Sequence, residues 1–273
     1  MHHPTQSQNA QKVILPKPFG GVDSSGKFLF EVPLLEARVL KRPNRFIVLA
    51  EVNGEQVEVH CPTTGSVGGW LLDGLNCLIS GPYPTSQRRT AYTLEALEVP
   101  LANGAKSYVG VNQNQANRYV EASVLSGLFE EAIGEFHYLR AERKHGAARI
   151  DFNINGDTFL EVKTPLKIIN MDTLVPAKST GYGSVAGPAS TERLLRHVKE
   201  LTAALGEGQK AILLSCFIYD APTFDPPANS AYTELTTALQ DARKAGLESW
   251  QVNYEIDGEG IRQSSLQRIN LGR

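Results

Sequence analysis

Three residues, Asp151, Glu161 and Lys163, have the types and the spacing to do chemistry, and they fall within one short stretch from Ala148 to Lys163. That stretch reads as two β segments around Asn155-Gly156. Side chains alternate faces along a strand. Ile150, Phe152 and Ile154 then share one face and Arg149, Asp151 and Asn153 the other, while Leu160 and Val162 oppose Glu161 and Lys163. A two-residue Asn-Gly turn would pair Asp151 with Leu160 and mix carboxylates with apolar side chains on both faces, which the burial pattern forbids. A three-residue loop, Ile154-Asn155-Gly156 with Gly156 left-handed, keeps one face dry and gathers Asp151, Glu161 and Lys163 on the other.

Two carboxylates so placed suit a hard cation, Mg²⁺ or Mn²⁺, held through oxygen ligands and water. The lysine is then left to position an attacking water and to offset charge developing on a phosphoryl group. The chemistry this points to is metal-dependent phosphodiester cleavage, with Asp151, Glu161 and Lys163 as the catalytic group. The competing reading is a hydrated strand face, since an Asp followed by an ExK is common in β-rich sequence.

Around this hairpin lie basic residues that suit a phosphate backbone: Arg140, Arg143, Lys144 and Arg149 just before or within it, and Arg88-Arg89 earlier in the chain. Ordinary surface charge is the other use for them. Arg193 and His197 stand one turn apart on the polar stripe of a helix over 191–205, from which both could reach a phosphate at the hairpin's charged face; a solvated helix face is the other reading. Phe46 and Tyr92 could stack on unpaired bases, although core packing is the commoner role for such rings. His60 beside Cys61 lacks a second ligand pair at zinc spacing and reads as structural. No P-loop, GxGxxG or GxSxG occurs, which removes the usual nucleotide-cofactor and acyl-hydrolase signatures.

The elements that must position these groups divide into two halves. A chain of 273 residues with 41 % hydrophobic and 21 % charged residues can bury a core in two small domains. Its formal net charge of −2 confines any DNA contact to local basic patches. Residues 1–26 read as a loosely held tail. Short β segments over 28–41, 45–52, 55–60, 75–80 and 91–98, with Asn53-Gly54 as a hairpin turn, fit a five-stranded OB-type barrel over 27–104. From 105 to 273 the pattern becomes mixed. A helix is expected over 113–133, strands over 137–144, 148–154 and 158–163, a long loop over 164–190, and then the 191–205 helix. A buried strand over 211–219, a helix over 232–245 and a strand over 249–255 complete an α/β half with a mixed sheet. Cys61, Cys77 and Cys216 show no disulfide or zinc-ribbon spacing and suit buried thiols in the cytoplasm. No signal peptide, membrane span or organic-cofactor motif is read from the sequence.

Several segments taken together resemble the SfsA family, the sugar fermentation stimulation proteins. They are Arg45-Phe46, His60-Cys61-Pro62 with Thr64-Gly65, Val111-Asn112, Ala116-Asn117, Glu142 with Lys144 and Gly146, Arg149 to Phe152, Glu161 to Lys163, and Thr191-Glu192-Arg193 with His197. The resemblance implies an N-terminal OB-type domain, a C-terminal PD-(D/E)xK nuclease-like domain and an association with DNA. It places the metal and catalytic positions at Asp151, Glu161 and Lys163, with Glu142 as either a third acidic ligand or an ion-pair partner. The sequence departs from the family's pattern at Thr164-Pro165-Leu166, in a longer loop over 164–190, and at Leu194, where glycine is usual. Three functions stand as expectations: a Mg²⁺-dependent DNA-cleaving protein, a regulatory DNA-binding protein without catalysis, or a structural or adaptor protein whose charged hairpin face is simply hydrated.

Overall fold

The computed structural model describes residues 15–63, 67, 71–100, 106–146, 148–165, 188–224 and 233–271. Two short strands, β1 (Phe19–Val22) and β2 (Phe28–Phe30), come first. Six strands then build a barrel: β3 (Leu35–Asn44), β4 (Ile47–Val52), β5 (Glu55–His60), β6 (Asn76–Ser80), β7 (Tyr92–Pro100) and β8 (Lys106–Gly110). Asn53 and Gly54, at φ 52° and 82°, turn β4 into β5 as the sequence predicts. The parallel pairing of Val59 and His60 with Tyr92 and Thr93 closes five strands into the OB-like barrel, with β8 added beside β7. Inside lie Val39, Val48, Ala50, Val59, Ile79, Leu94 and Leu97, all buried. Closure leaves few strand edges for aberrant pairing.

The second half is an eight-stranded mixed sheet. It adds β9 (Leu139–His145), β10 (Ala148–Ile154), β11 (Thr158–Lys163), β12 (Lys210–Phe217), β13 (Glu248–Ile256) and β14 (Gly260–Ile269), in the order β1-β2-β14-β13-β12-β11-β10-β9. Within this sheet β11, β12 and β13 are mutually parallel, because helical crossovers connect them. Helices α1 (Ala116–Leu125) and α2 (Glu130–Ile133) precede β9, α3 (Pro188–Gly206) lies between β11 and β12, and α4 (Thr233–Lys244) lies between β12 and β13. Tyr119, Val120 and Val124 of α1 pack on one side of the sheet with Phe152, Leu160 and Ile212. Val198, Leu201 and Ala204 of α3 pack on the other side with Ile150, Phe159 and Leu213. Strand β12, covered on both sides, is apolar nearly throughout, as the sequence predicts for a central strand.

Several expectations are corrected. Phe19–Val22 lies within the stretch read as tail, yet it forms β1, because β2 pairs with β14 and gives it an edge to join. The barrel sheet runs past residue 105, since Lys106–Gly110 pairs with β7. The helix over 113–133 is two helices, broken where Gly127 takes φ 77°. Strand β14 is an addition to the expected set. It forms because Asp257 accepts N–H bonds from Glu259 and Gly260 and turns the chain back on β13. The greater part of the loop over 164–190 lies outside the described residues. Among the described residues no helix is long and apolar enough to cross a membrane, and all three cysteines are free and buried.

Gly110 joins the two halves: its N–H donates to Ile218 O at 2.7 Å, and an added β-carbon would stand 2.2 Å from Ile218 Cγ2. Gly110→Ala must push the barrel off the sheet, an overpacking expected to cost about 1–3 kcal/mol. Urea denaturation checks this, and a midpoint equal to that of the natural protein would contradict it.

Candidate active site

The hairpin of β10 and β11 pairs Phe152 with Leu160, Asn153 with Phe159 and Ile154 with Thr158. Its loop is therefore Asn155-Gly156-Asp157, one residue later than expected. Asn155 as well as Gly156 takes a left-handed conformation, at φ 54° and 88°. The loop still has three residues, so the side-chain faces keep their parity and Asp151 comes opposite Glu161.

Beyond Phe152 and Leu160 the two carboxylates take over from the ladder. Asp151 Oδ2 accepts the N–H of Val162 at 2.8 Å, and Glu161 Oε2 accepts the N–H of Asp151 at 3.3 Å. The alternation of β10 also breaks here. Ile150 packs with α3, whereas Phe152 packs on the α1 side. The expected dry face shared by Ile150, Phe152 and Ile154 is thus divided at Asp151. On the neighbouring strand Glu142, which falls opposite Asp151, takes φ 52°.

Helices from both sides of the sheet hold the two acids. Asn117, in the first turn of α1, donates Nδ2–H to Asp151 Oδ1 at 2.9 Å. His197 of α3 and Lys163 both contact Glu161 Oε1, and Lys163 Nζ lies 3.3 Å from His197 Nδ1. Glu161 is 1 % exposed. Burial pushes its carboxyl up, but the His197 bond and the Lys163 charge outweigh that and hold it below the usual range. Asp151 goes the other way: burial, and then the charge of Glu161, raise it against the bonds from Val162 and Asn117.

The group stands at the carboxyl end of β11, where a cavity of about 670 Å³ opens. Asn117, Asp151, Glu161, Lys163 and Arg193 supply its polar wall, and Leu194, Leu213, Phe224, Leu235 and Leu239 its apolar wall. Sites in sheets of this kind commonly lie beyond the carboxyl ends of the parallel strands. Gln113 ties this rim together by donating to Thr164 O at 2.7 Å.

Asp151, Glu161, Lys163 and Arg193 are thus brought together, but other residues depart from expectation. Glu142 does not line the cavity; its side chain is exposed and pairs with Arg149 at 3.1 Å, because the positive φ turns it to solvent. Of the two expectations for Glu142, a third acidic ligand or an ion-pair partner, the structure has the exposed ion pair. His197, expected either to reach a phosphate at the hairpin's charged face or to lie on a solvated helix face, is 4 % exposed; it is buried against Glu161 and positions that carboxylate. Arg143 donates to Asn153 Oδ1 at 3.0 Å, and Lys144 is exposed on β9. Arg88 and Arg89 sit apart on the barrel, where Arg88 lies 4.5 Å from the Tyr83 ring and donates to Thr93. Phe46, 44 % exposed, carries Arg45 over its ring, so it is a surface residue and not a core one.

Asn117 and Gln113 hold the site's acid and rim, and sequence reasoning assigns them no role there. Nothing in their local spacing marks them, since each acts only across 34 or more residues of chain.

The donor set fits a hard divalent cation. Two carboxylates oppose each other, and Asp151, which makes no ion pair among the described residues, is raised partly by its neighbour's charge, which a cation would neutralise. Among the described residues no group of three His, Cys, Asp or Glu side chains is arranged to hold a metal ion.

Comparison with known proteins is consistent across the chain. Residues 40–111 match the family model described as the SfsA N-terminal OB domain, and residues 114–260 match the sugar fermentation stimulation protein RE domain. A sugar fermentation stimulation protein homolog of Teredinibacter turnerae is 31 % identical over 251 residues, covering 89 % of this chain and 100 % of its own. One from Parasynechococcus marenigrum is 29 % identical over 241 residues, covering 87 % and 93 %. The solved structure of Pyrococcus furiosus SfsA in complex with Ca²⁺ superposes with a TM-score of 0.63 at 19 % identity, covering 89 % of this chain and 98 % of that one.

Proposed function

The chain belongs to the sugar fermentation stimulation protein family, and we propose that it binds DNA and cleaves phosphodiester bonds with Mg²⁺ or Mn²⁺. The observation that carries this reading is the opposition of Asp151 and Glu161 beside Lys163 at the mouth of a cavity. That is the arrangement of a PD-(D/E)xK site. The Ca²⁺ held by the Pyrococcus furiosus relative supports a hard divalent cation in this fold. The free, buried cysteines suit a cytoplasmic protein.

Asp151 and Glu161 Oε2 would hold the cation, since Glu161 Oε1 is taken by Lys163 and His197. When bound, the cation supplies a Lewis acid for the phosphoryl oxygen and lowers the pKa of its water. Lys163 would orient the attacking water and offset charge in the transition state. Arg193, exposed at the cavity, holds a flanking phosphate with its planar fork. Exposed Arg149 and Lys144 near the hairpin, and Arg88 and Arg89 on the barrel, add sequence-independent contacts to the backbone. One observation favours the second reading, a regulatory DNA-binding protein without cleavage: Lys163 is already engaged with Glu161 and His197.

The test is cleavage of labelled single-stranded and duplex DNA at low salt with Mg²⁺ or Mn²⁺, for the natural protein, Asp151→Ala and Lys163→Ala. Cutting should require the cation and fall roughly a hundredfold or more in each variant. DNA binding without cutting, unchanged in both variants, would overturn the catalytic reading and leave the regulatory one.

A further inference from the structure

A second buried carboxylate lies far from the hairpin in the chain, and nothing in the proposed cleavage uses it. Glu95 of β7 is 5 % exposed. Leu94 before it belongs to the barrel core, while Glu95 turns to the seam where Asn112 leads into α1. Its carboxylate accepts hydrogen bonds from Ser80 Oγ and, at 2.8 Å, from Asn112 Nδ2. Burial pushes this carboxyl up, against those two bonds and the more distant charge of Arg88. Glu161 is answered by Lys163 and His197, but among the described residues Glu95 makes no ion pair. A buried carboxylate without a counter-ion is costly, and the cost is relieved by a proton or by a cation that reaches it.

At the same seam a cavity of about 470 Å³ opens, with Ser80, Glu95, Gln115 and Tyr119 on its polar side and Phe30 and Leu34 on its apolar side. Tyr119 is 1 % exposed, its ring fixed between Phe19 and Tyr254 at centroid distances of 5.8 and 5.9 Å. Its hydroxyl has no hydrogen-bond partner among the described residues. Lys17 and Glu31 lie at the solvent-exposed rim, where water screens both. The space is too large for a bare metal ion, and one buried carboxylate, with Glu31 out at the exposed rim, is too few ligands for one. A pocket between two folded halves, mostly apolar with a few convergent polar groups, is the usual form of a small-molecule site.

We infer that this cavity binds a small organic ammonium ion with an apolar body. The ammonium group pairs with Glu95 and donates to the Tyr119 hydroxyl, while the body lies against Phe30 and Leu34. A neutral ligand of the same shape leaves Glu95 without its counter-ion and binds more weakly.

The experiment titrates the full chain with 2-phenylethylammonium and with neutral 2-phenylethanol, followed by ligand-observed NMR, for the natural protein, Glu95→Gln and Leu34→Trp. The natural protein should bind the ammonium compound at least roughly tenfold more tightly than the alcohol. Glu95→Gln should erase that preference. Leu34→Trp fills the cavity from its apolar side without touching Glu95, should abolish binding of both probes, and decides the matter if Glu95→Gln does not fold. Equal binding of the two probes, no binding of either, or a preference that survives in Glu95→Gln would overturn the inference. None of these readouts depends on DNA cleavage.

Discussion

Asp151→Asn is expected to raise the stability of the protein at neutral pH while removing its response to divalent cations. Burial and the charge of Glu161 raise the Asp151 carboxyl above its ordinary 3.8, so its ionised form opposes folding. For a carboxyl whose folded pKa is raised, the cost is present above that pKa and disappears as pH falls below the unfolded value. Glu161 has the opposite sign. Held below its ordinary 4.5, it contributes stability above that value and loses it as pH falls through the folded pKa. Acidification therefore first relieves Asp151 and only later costs the bonds of Glu161. In the Asn variant the first phase is gone, and Asn117 need only turn its amide to present oxygen to the new donor.

Urea midpoints across the acid to neutral range, with and without Mg²⁺, provide the measurement. Without the cation the variant should be the more stable at neutral pH, and the two proteins should converge in acid. Saturating Mg²⁺ should stabilise the natural protein alone, by about 2.7 kcal/mol at a hundred times its Kd. A variant less stable at neutral pH would show that the bonds from Val162 and Asn117 to the ionised carboxylate outweigh the repulsion, and the charge argument would fall. Equal stabilisation of both proteins by Mg²⁺ would move the cation elsewhere.

His197→Ala is expected to destabilise the protein by about 1–3 kcal/mol, as removal of a partner from a buried polar group does. Glu161 would keep Lys163, but that side chain is 27 % exposed and cannot replace the imidazole packed between α3 and β11. A solvated helix-face histidine, as the polar stripe suggests, would cost almost nothing. The double variant with Glu161→Gln separates these cases. With the buried charge gone, loss of the imidazole should cost clearly less than in the natural background. The same cost in both backgrounds would mean that His197 serves only as packing. Cleavage, where present, should fall in His197→Ala and be partly restored in His197→Gln, whose amide can still donate to Glu161.

Much of the site is legible in the sequence because a strand has a side-chain period of two. Asp151, Glu161 and Lys163 share a face in any register that preserves parity, and the loop can slide by a residue, from 154–156 to 155–157, without separating them. The Asn53-Gly54 hairpin, the amphipathic α3 and the apolar β12 are legible for the same reason: each is a local period or a local turn. What the local pattern misjudges is equally specific. The polar stripe of α3 reads equally as a solvated side or as one turned to the hairpin, and His197 is buried there, because periodicity shows that a face is polar and not what lies against it.

The sequence by itself determined that the chain forms a barrel followed by a mixed sheet, that two carboxylates and a lysine face one way, and where the central strand runs. These follow from periods and turns that the residues carry within a few positions of one another. Only the tertiary structure decided that Asn117 holds Asp151, that His197 holds Glu161, that Glu142 turns away, and that β1 and β2 complete the far sheet through β14. Each of these rests on contacts between segments distant in the chain. Their partners are set by how the layers pack, and no local spacing records that.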